Sequence, residues 1–133
     1  VTKIMKSKFR LFLYVFIISL TSTQVFSQGK SSKKLLRHVV IFKFNDSSSA
    51  EDVQNVADTF YALKKSVPQI KDMEWGINNS PEKFNQGFTH CFIISFKSEK
   101  DLADYQNDPN HKAFQEVLKP HMEKVFVVDY WLK

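Results

Sequence analysis

The sequence predicts an α+β fold, with elements in the order strand, helix, strand, strand, helix, strand, and three observations carry that reading. Four short apolar runs, at about 37–44, 70–78, 88–97 and 124–132, are rich in the β-branched and aromatic residues that suit a pleated surface. Two further segments place apolar residues three and four apart, which lines up one face of a helix, and they fall between the first and second runs and between the third and fourth. The chain of 133 residues has a single Cys, so packing and not a disulfide framework has to hold the domain together. The order βαββαβ closes most simply as a four-stranded antiparallel sheet with both helices on one face, a ferredoxin-like sandwich.

Each element has its own signal. Arg37 to Phe44 alternates His38, Val40, Phe42 and Phe44 with Val39, Ile41 and Lys43, which is strand one. Asn45 to Ser49 is a turn and capping cluster, after which Val53, Val56, Ala57, Phe60, Leu63 and Val67 recur at helical spacing. Helix one therefore spans about Ala50 to Ser66 and stops at Pro68. Ile70 to Asn78 sets Met73, Trp75 and Ile77 against Asp72, Glu74 and Gly76, and Phe88 to Lys97 follows a polar stretch holding Pro81 and Gly87. These are strands two and three. Helix two starts at Ser98 to Asp101, is interrupted at Asp108-Pro109-Asn110, and resumes from His111 to Leu118. The last strand runs from about Lys124 to Leu132.

In strands one, three and four both parities are apolar: Val39 and Ile41 oppose Val40 and Phe42, and Val125 and Val127 oppose Phe126 and Val128. A sheet with one face in water alternates apolar with polar, so the face without helices needs a cover. Two helices cannot serve both faces. A second copy of the chain is the expected cover, giving a homodimer.

Charge locates the exported part of the chain. Residues 1–27 hold Lys3, Lys6, Lys8 and Arg10 and no acid, followed by the apolar run Leu11 to Leu20 and the polar Thr21 to Ser27, the three-part pattern of a secretory signal. The run is shorter than the roughly 20 residues a bilayer span needs, so cleavage before Gln28 is expected, with Val1 to Ile4 preceding the start at Met5. No membrane attachment is expected after cleavage, and the destination is the periplasm or the exterior. Residues 28–36 read as a disordered spacer and 37–133 as the domain. From residue 28 onward 15 basic residues face 14 acidic ones, and no clustered positive surface remains for nucleic acid.

The sequence lacks a phosphate loop, CxxC, HExxH and GxSxG, which removes several enzyme classes. Four His without HxH or HxxxH spacing are weak evidence for zinc or iron, a hard cation held by backbone carbonyls would leave no sequence trace, and no cofactor is expected. Histidine placement is what stands out. His90 shares its parity with Phe88, Phe92, Ile94 and Phe96, and two readings stand for it: a core imidazole hydrogen-bonded to backbone, or a pocket base suited to proton transfer near neutral pH. Tyr105 and His111 flank the helix break, where a cavity between helix and sheet can form. Strands one and three run in opposite directions, so His38 enters at the far end from His90, and His90 is the histidine coupled with His111. Trp75 is a core or interface aromatic that can border the pocket, and Cys91 turns to the opposite face from His90.

The stretches His38 to Phe44, Trp75-Gly76, Phe88-Thr89-His90, Tyr105 to Phe114 and Val127 to Tyr130, taken in order, resemble the stress-responsive A/B barrel (Dabb) family. The resemblance covers about residues 37–131 and implies a dimeric α+β barrel. One branch of that family contains polyketide cyclases, which close a poly-β-keto chain with a histidine base and a tyrosine. By that resemblance His111 is the matching base and Tyr105 the group that orients a carbonyl, while His38 and His90 match pocket histidines. Three functions remain open at this point: a dimeric barrel binding a small apolar or carbonyl-containing molecule, a non-catalytic stress-related interaction protein, and a cofactor-free monooxygenase.

Overall fold

The structure, a computed structural model, describes residues 34–133. The secretory leader and nearly all of the spacer expected from the sequence lie outside the described residues. Within them, no helix is long and apolar enough to cross a membrane.

The first strand, β1 (Leu36–Phe44), leads into α1 (Ala50–Ser66), then β2 (Asp72–Ile77), β3 (His90–Phe96), α2 (Glu99–Asn107), α3 (Pro109–Leu118) and β4 (Met122–Trp131). The sheet has the order β2-β3-β1-β4, with each neighbouring pair antiparallel. This is the expected α+β sandwich, and β1 begins one residue before Arg37 because Leu36 is buried against Phe96 and Trp131 in register. Alternation along the strands sends His38, Val40 and Phe42 to the helix side, together with Ile94, Phe92 and His90 from β3.

Local chemistry sets the helix ends. Ser49 caps α1 through a reciprocal box in which Ser49 Oγ accepts the Asp52 N–H at 3.1 Å and the Asp52 carboxylate accepts the Ser49 N–H at 3.0 Å. Ser98 caps α2 with a single bond, its Oγ accepting the Asp101 N–H at 3.0 Å. Asp108 both ends α2 and starts α3: its N–H donates to the Tyr105 carbonyl, and its carboxylate accepts the Asn110 N–H at 2.7 Å. Proline tolerates the first helical position, where no intrahelical N–H is needed, so Pro109 restarts the helix instead of merely interrupting it.

An aromatic core ties the helices to the sheet. Phe60 of α1 stacks on Phe114 of α3 at 4.3 Å between ring centres, and both pack on Phe42 at the middle of β1. Along β4 the helix cover runs out. Val125 and Val127 face the helix side but remain 45% and 46% exposed, so one flank of the space between α3 and the sheet stays open.

Candidate functional site

That space is a cavity of about 540 Å³ bounded by β1, α3 and β4. Its walls are apolar, with Val40, Phe42, Phe60, Phe114, Leu118 and Met122 among them, and its polar groups gather at one end around His38, Tyr105, Gln106 and His111. A mostly apolar cavity with a few convergent polar side chains is the usual form of a small-molecule site.

Each polar group is held by a different element. Tyr105, in the last turn of α2, lies against His111 at 4.2 Å between ring centres and against His38 at 5.8 Å. Its hydroxyl is buried and has no hydrogen-bond partner among the described residues. Burial also pushes its ionisation far above the usual tyrosine range, so the group stays an O–H donor. A buried donor left unpaired costs about 1–3 kcal/mol, and a ligand oxygen placed there would relieve that cost.

His111 is the third residue of α3. Its Nδ1 lies 3.3 Å from the Gln106 carbonyl oxygen. A carbonyl only accepts, so Nδ1 carries the hydrogen and Nε2 presents a lone pair. Burial lowers the His111 pKa and the neighbouring His38 lowers it further, while the hydrogen bond to Gln106 and the Asp108 carboxylate act in the opposite direction. The net result is a neutral imidazole, the form a general base needs.

His38 completes the cluster through its partner on β4. Its Nδ1 is 2.6 Å from Asp129 Oδ1, so the ring donates there and keeps Nε2 free. The pairing follows from register, because His38 lies opposite Asp129 on the helix side. Asp129 was not a candidate in the sequence reading, although a carboxylate on an otherwise apolar strand parity, directly across from a histidine, was a usable signal.

The structure corrects the coupling of His90 with His111. His38 is the histidine that meets Tyr105 and His111. His90 and Trp75 do not line this cavity: His90 is buried between Trp75, stacked at 5.9 Å, and Phe44 at 5.1 Å, with Thr89 Oγ1 2.9 Å from its Nδ1. The reason is topological. Only two residues separate β3 from α2, so Tyr105 comes down beside Phe96, 5.1 Å between ring centres, at the sheet end where β3 finishes and β1 begins. His38 is at that end and His90 is at the other.

Burial holds the pKa of both His90 and His111 below the usual histidine value. In the unfolded chain these groups bind protons near pH 6.5, so between that value and their folded pKa values the unfolded state holds more protons. Stability contributed by the neutral rings is complete above about pH 6.5 and is lost as pH falls below it. The urea midpoint is therefore expected to be lower at pH 5.0 than at pH 7.5, and His90→Phe is expected to flatten that dependence. Asp52 and Asp72, whose pKa values are lowered by hydrogen bonds from Ser49 and Lys64, add their loss only below about pH 4, which leaves this window to the histidines.

The family model described as "Stress responsive A/B Barrel Domain" matches residues 36–132. The stress-response A/B barrel domain-containing protein HS1 of Arabidopsis thaliana is 30% identical over 101 residues, covering 76% of this chain and 93% of its own. Olivetolic acid cyclase of Cannabis sativa is 27% identical over 95 residues, covering 71% and 94%. A solved structure described as a dimeric protein of unknown function with a ferredoxin-like fold, from Bacteroides fragilis, superposes with a TM-score of 0.61 at 25% identity, covering 74% of this chain and 96% of that one.

Proposed function

The chain belongs to the stress responsive A/B barrel family, and from that premise we propose that it is an exported homodimeric barrel that binds a small, apolar, carbonyl-containing molecule and transfers a proton on it. One observation carries the reading: the Tyr105 hydroxyl is buried without a partner, in ring contact with a neutral His111, inside an apolar cavity of about 540 Å³. Both residues line that cavity, so a donor and a base stand together at its polar end. The likeness to a cyclase supports carbonyl chemistry. The apolar sheet face and the dimeric relative support the homodimer, and the leader supports export.

The chemistry such a site performs is addition of one carbonyl compound's α-carbon to another carbonyl. His111 Nε2 takes a proton from a carbon flanked by two carbonyls, breaking a C–H bond and leaving an enolate. Tyr105 O–H donates to the oxygen on which that negative charge gathers, where a preplaced donor counts most. The enolate carbon bonds to a second carbonyl carbon within the cavity, and the new alkoxide regains the proton from the His111 imidazolium. Asp129 holds the His38 ring through Nδ1, beside Tyr105.

The test is a crystal structure of the protein after incubation with a mixed pool of small aromatic and β-keto compounds. Ligand density with an oxygen within about 3 Å of the Tyr105 hydroxyl is the expected result, and the compound bound names the reaction to assay. A dry, collapsed space beside Tyr105 and His111 in a well-formed dimer would overturn the reading in favour of a non-catalytic stress-related role.

A further inference from the structure

We propose that the segment between β2 and β3, residues 78–89, is an arm that reaches across to a second copy of the chain, with Phe84 of each copy seated in a groove of the other. The inference rests on the homodimer proposed above and specifies how that dimer is built.

The arm is shaped in advance. The Ser80 N–H donates to the Asn78 side-chain oxygen at 3.2 Å, Asn85 Nδ2 donates to the Phe88 carbonyl at 2.9 Å, and the Phe88 N–H returns to the Asn85 carbonyl at 2.8 Å. Lys83, Gln86 and Gly87 all have positive φ. At Gly87 the φ of 83° is one that a residue with a side chain rarely adopts, and an added Cβ would push aside the end of the Lys43 side chain. Positive φ at two non-glycine residues is uncommon and costs free energy. What this backbone holds in place is Phe84, which is 80% exposed, more than any other large apolar side chain among the described residues. Beside it, against the helix-free face, is a groove of about 480 Å³ with Ile41, Cys91 and Phe126 in its floor.

Charge across that face selects the occupant and its orientation. The strand register puts Glu74, and Asp72 with its ion pair to Lys64 of the same chain at 2.8 Å, on the outward parity of the β2 edge, whereas Arg37 and Lys124 have that parity on β1 and β4, with an apolar centre between. An isologous interface has to be self-complementary. A two-fold axis across the strands would lay one acidic β2 edge on the other. An axis along the strands lays the acidic β2 of one copy over β4 of the other, bringing Asp72 level with Arg37 and Tyr130 of the second copy. That second orientation also keeps both arms at one end of the barrel, where they meet.

The test measures dimer dissociation of the full chain by sedimentation for the natural sequence, Phe84→Asp and Phe84→Leu. Because the ring is exposed in the single chain, either substitution leaves the fold intact, which circular dichroism checks. The expected result is a dimer whose dissociation constant rises about 30-fold or more with Phe84→Asp, as for an interface anchor, and by much less with Phe84→Leu. A natural dimer that Phe84→Asp leaves unchanged would overturn the arm and spare the dimer. A natural chain that sediments as a monomer would overturn the dimer itself, as would a monomer carried through Phe84 onto anionic phospholipid vesicles.

Discussion

Replacing His111 with Ala is expected to lower turnover of a β-dicarbonyl substrate by about 10²–10⁴-fold, the range removed when a positioned general base is lost. The unfolding midpoint at pH 7.5 should barely move, because His111 is only half-buried and its one hydrogen bond, to the Gln106 carbonyl, is solvent-accessible. The pH profile separates this role from a packing role. With its pKa lowered by burial, His111 stays neutral below the usual histidine range, so the rate should hold as pH falls through 6.5 and drop only in more acid solution. Tyr105→Phe tests the other half of the pair. It keeps the ring contacts with His111 and His38 and removes only the unpartnered hydroxyl, so turnover should fall while stability is unchanged or improved. Equal losses of stability and activity in both variants would assign the two residues to the core.

The histidines also mark how far the sequence could be read. Helix one is legible end to end because Ser49, the 3.6-residue periodicity and Pro68 all agree, and the structure gives Ala50–Ser66. The break at Asp108-Pro109 is legible as a break, but α3 begins at Pro109 and not at His111, because proline suits the first helical position and the preceding aspartate supplies the cap. Tyr105 and His111 are close because that break lies between them, and both residues were visible as a pair. Which strand histidine joins them depends on where α2 lies over the sheet, a tertiary fact that strand parity does not contain. Parity places His38 and His90 on the same face equally well. The information was in connection length: only Lys97 and Ser98 separate β3 from α2, too few to carry the helix back to the His90 end. Asp129 was hidden for a related reason, since its meaning comes from the β1–β4 register, which pairs residues 91 positions apart.

Phe42→Ala is expected to cost about 3–5 kcal/mol, the range for truncating a buried aromatic, against a total stability of about 5–15 kcal/mol for a domain of this size. The ring is fully buried and lies within 5.6–6.4 Å of Phe60, Phe92 and Phe114 and within 5.9 Å of Phe44, so no neighbour can move into the space without abandoning another. It is also part of the wall of the ligand cavity. Truncation therefore joins a new void to an existing one, and the cost should be recoverable by anything apolar that fills the combined space, as engineered apolar cavities take up benzene. Denaturant unfolding of the variant with and without benzene measures both effects. A midpoint that rises with benzene in Phe42→Ala, and rises much less in the natural chain, means that core and site share one wall, so the residues that hold the fold together also set the size of molecule it accepts. A loss of stability that benzene does not relieve means the core has collapsed around the deletion, and the cavity's dimensions are then fixed by α3 and β4 instead.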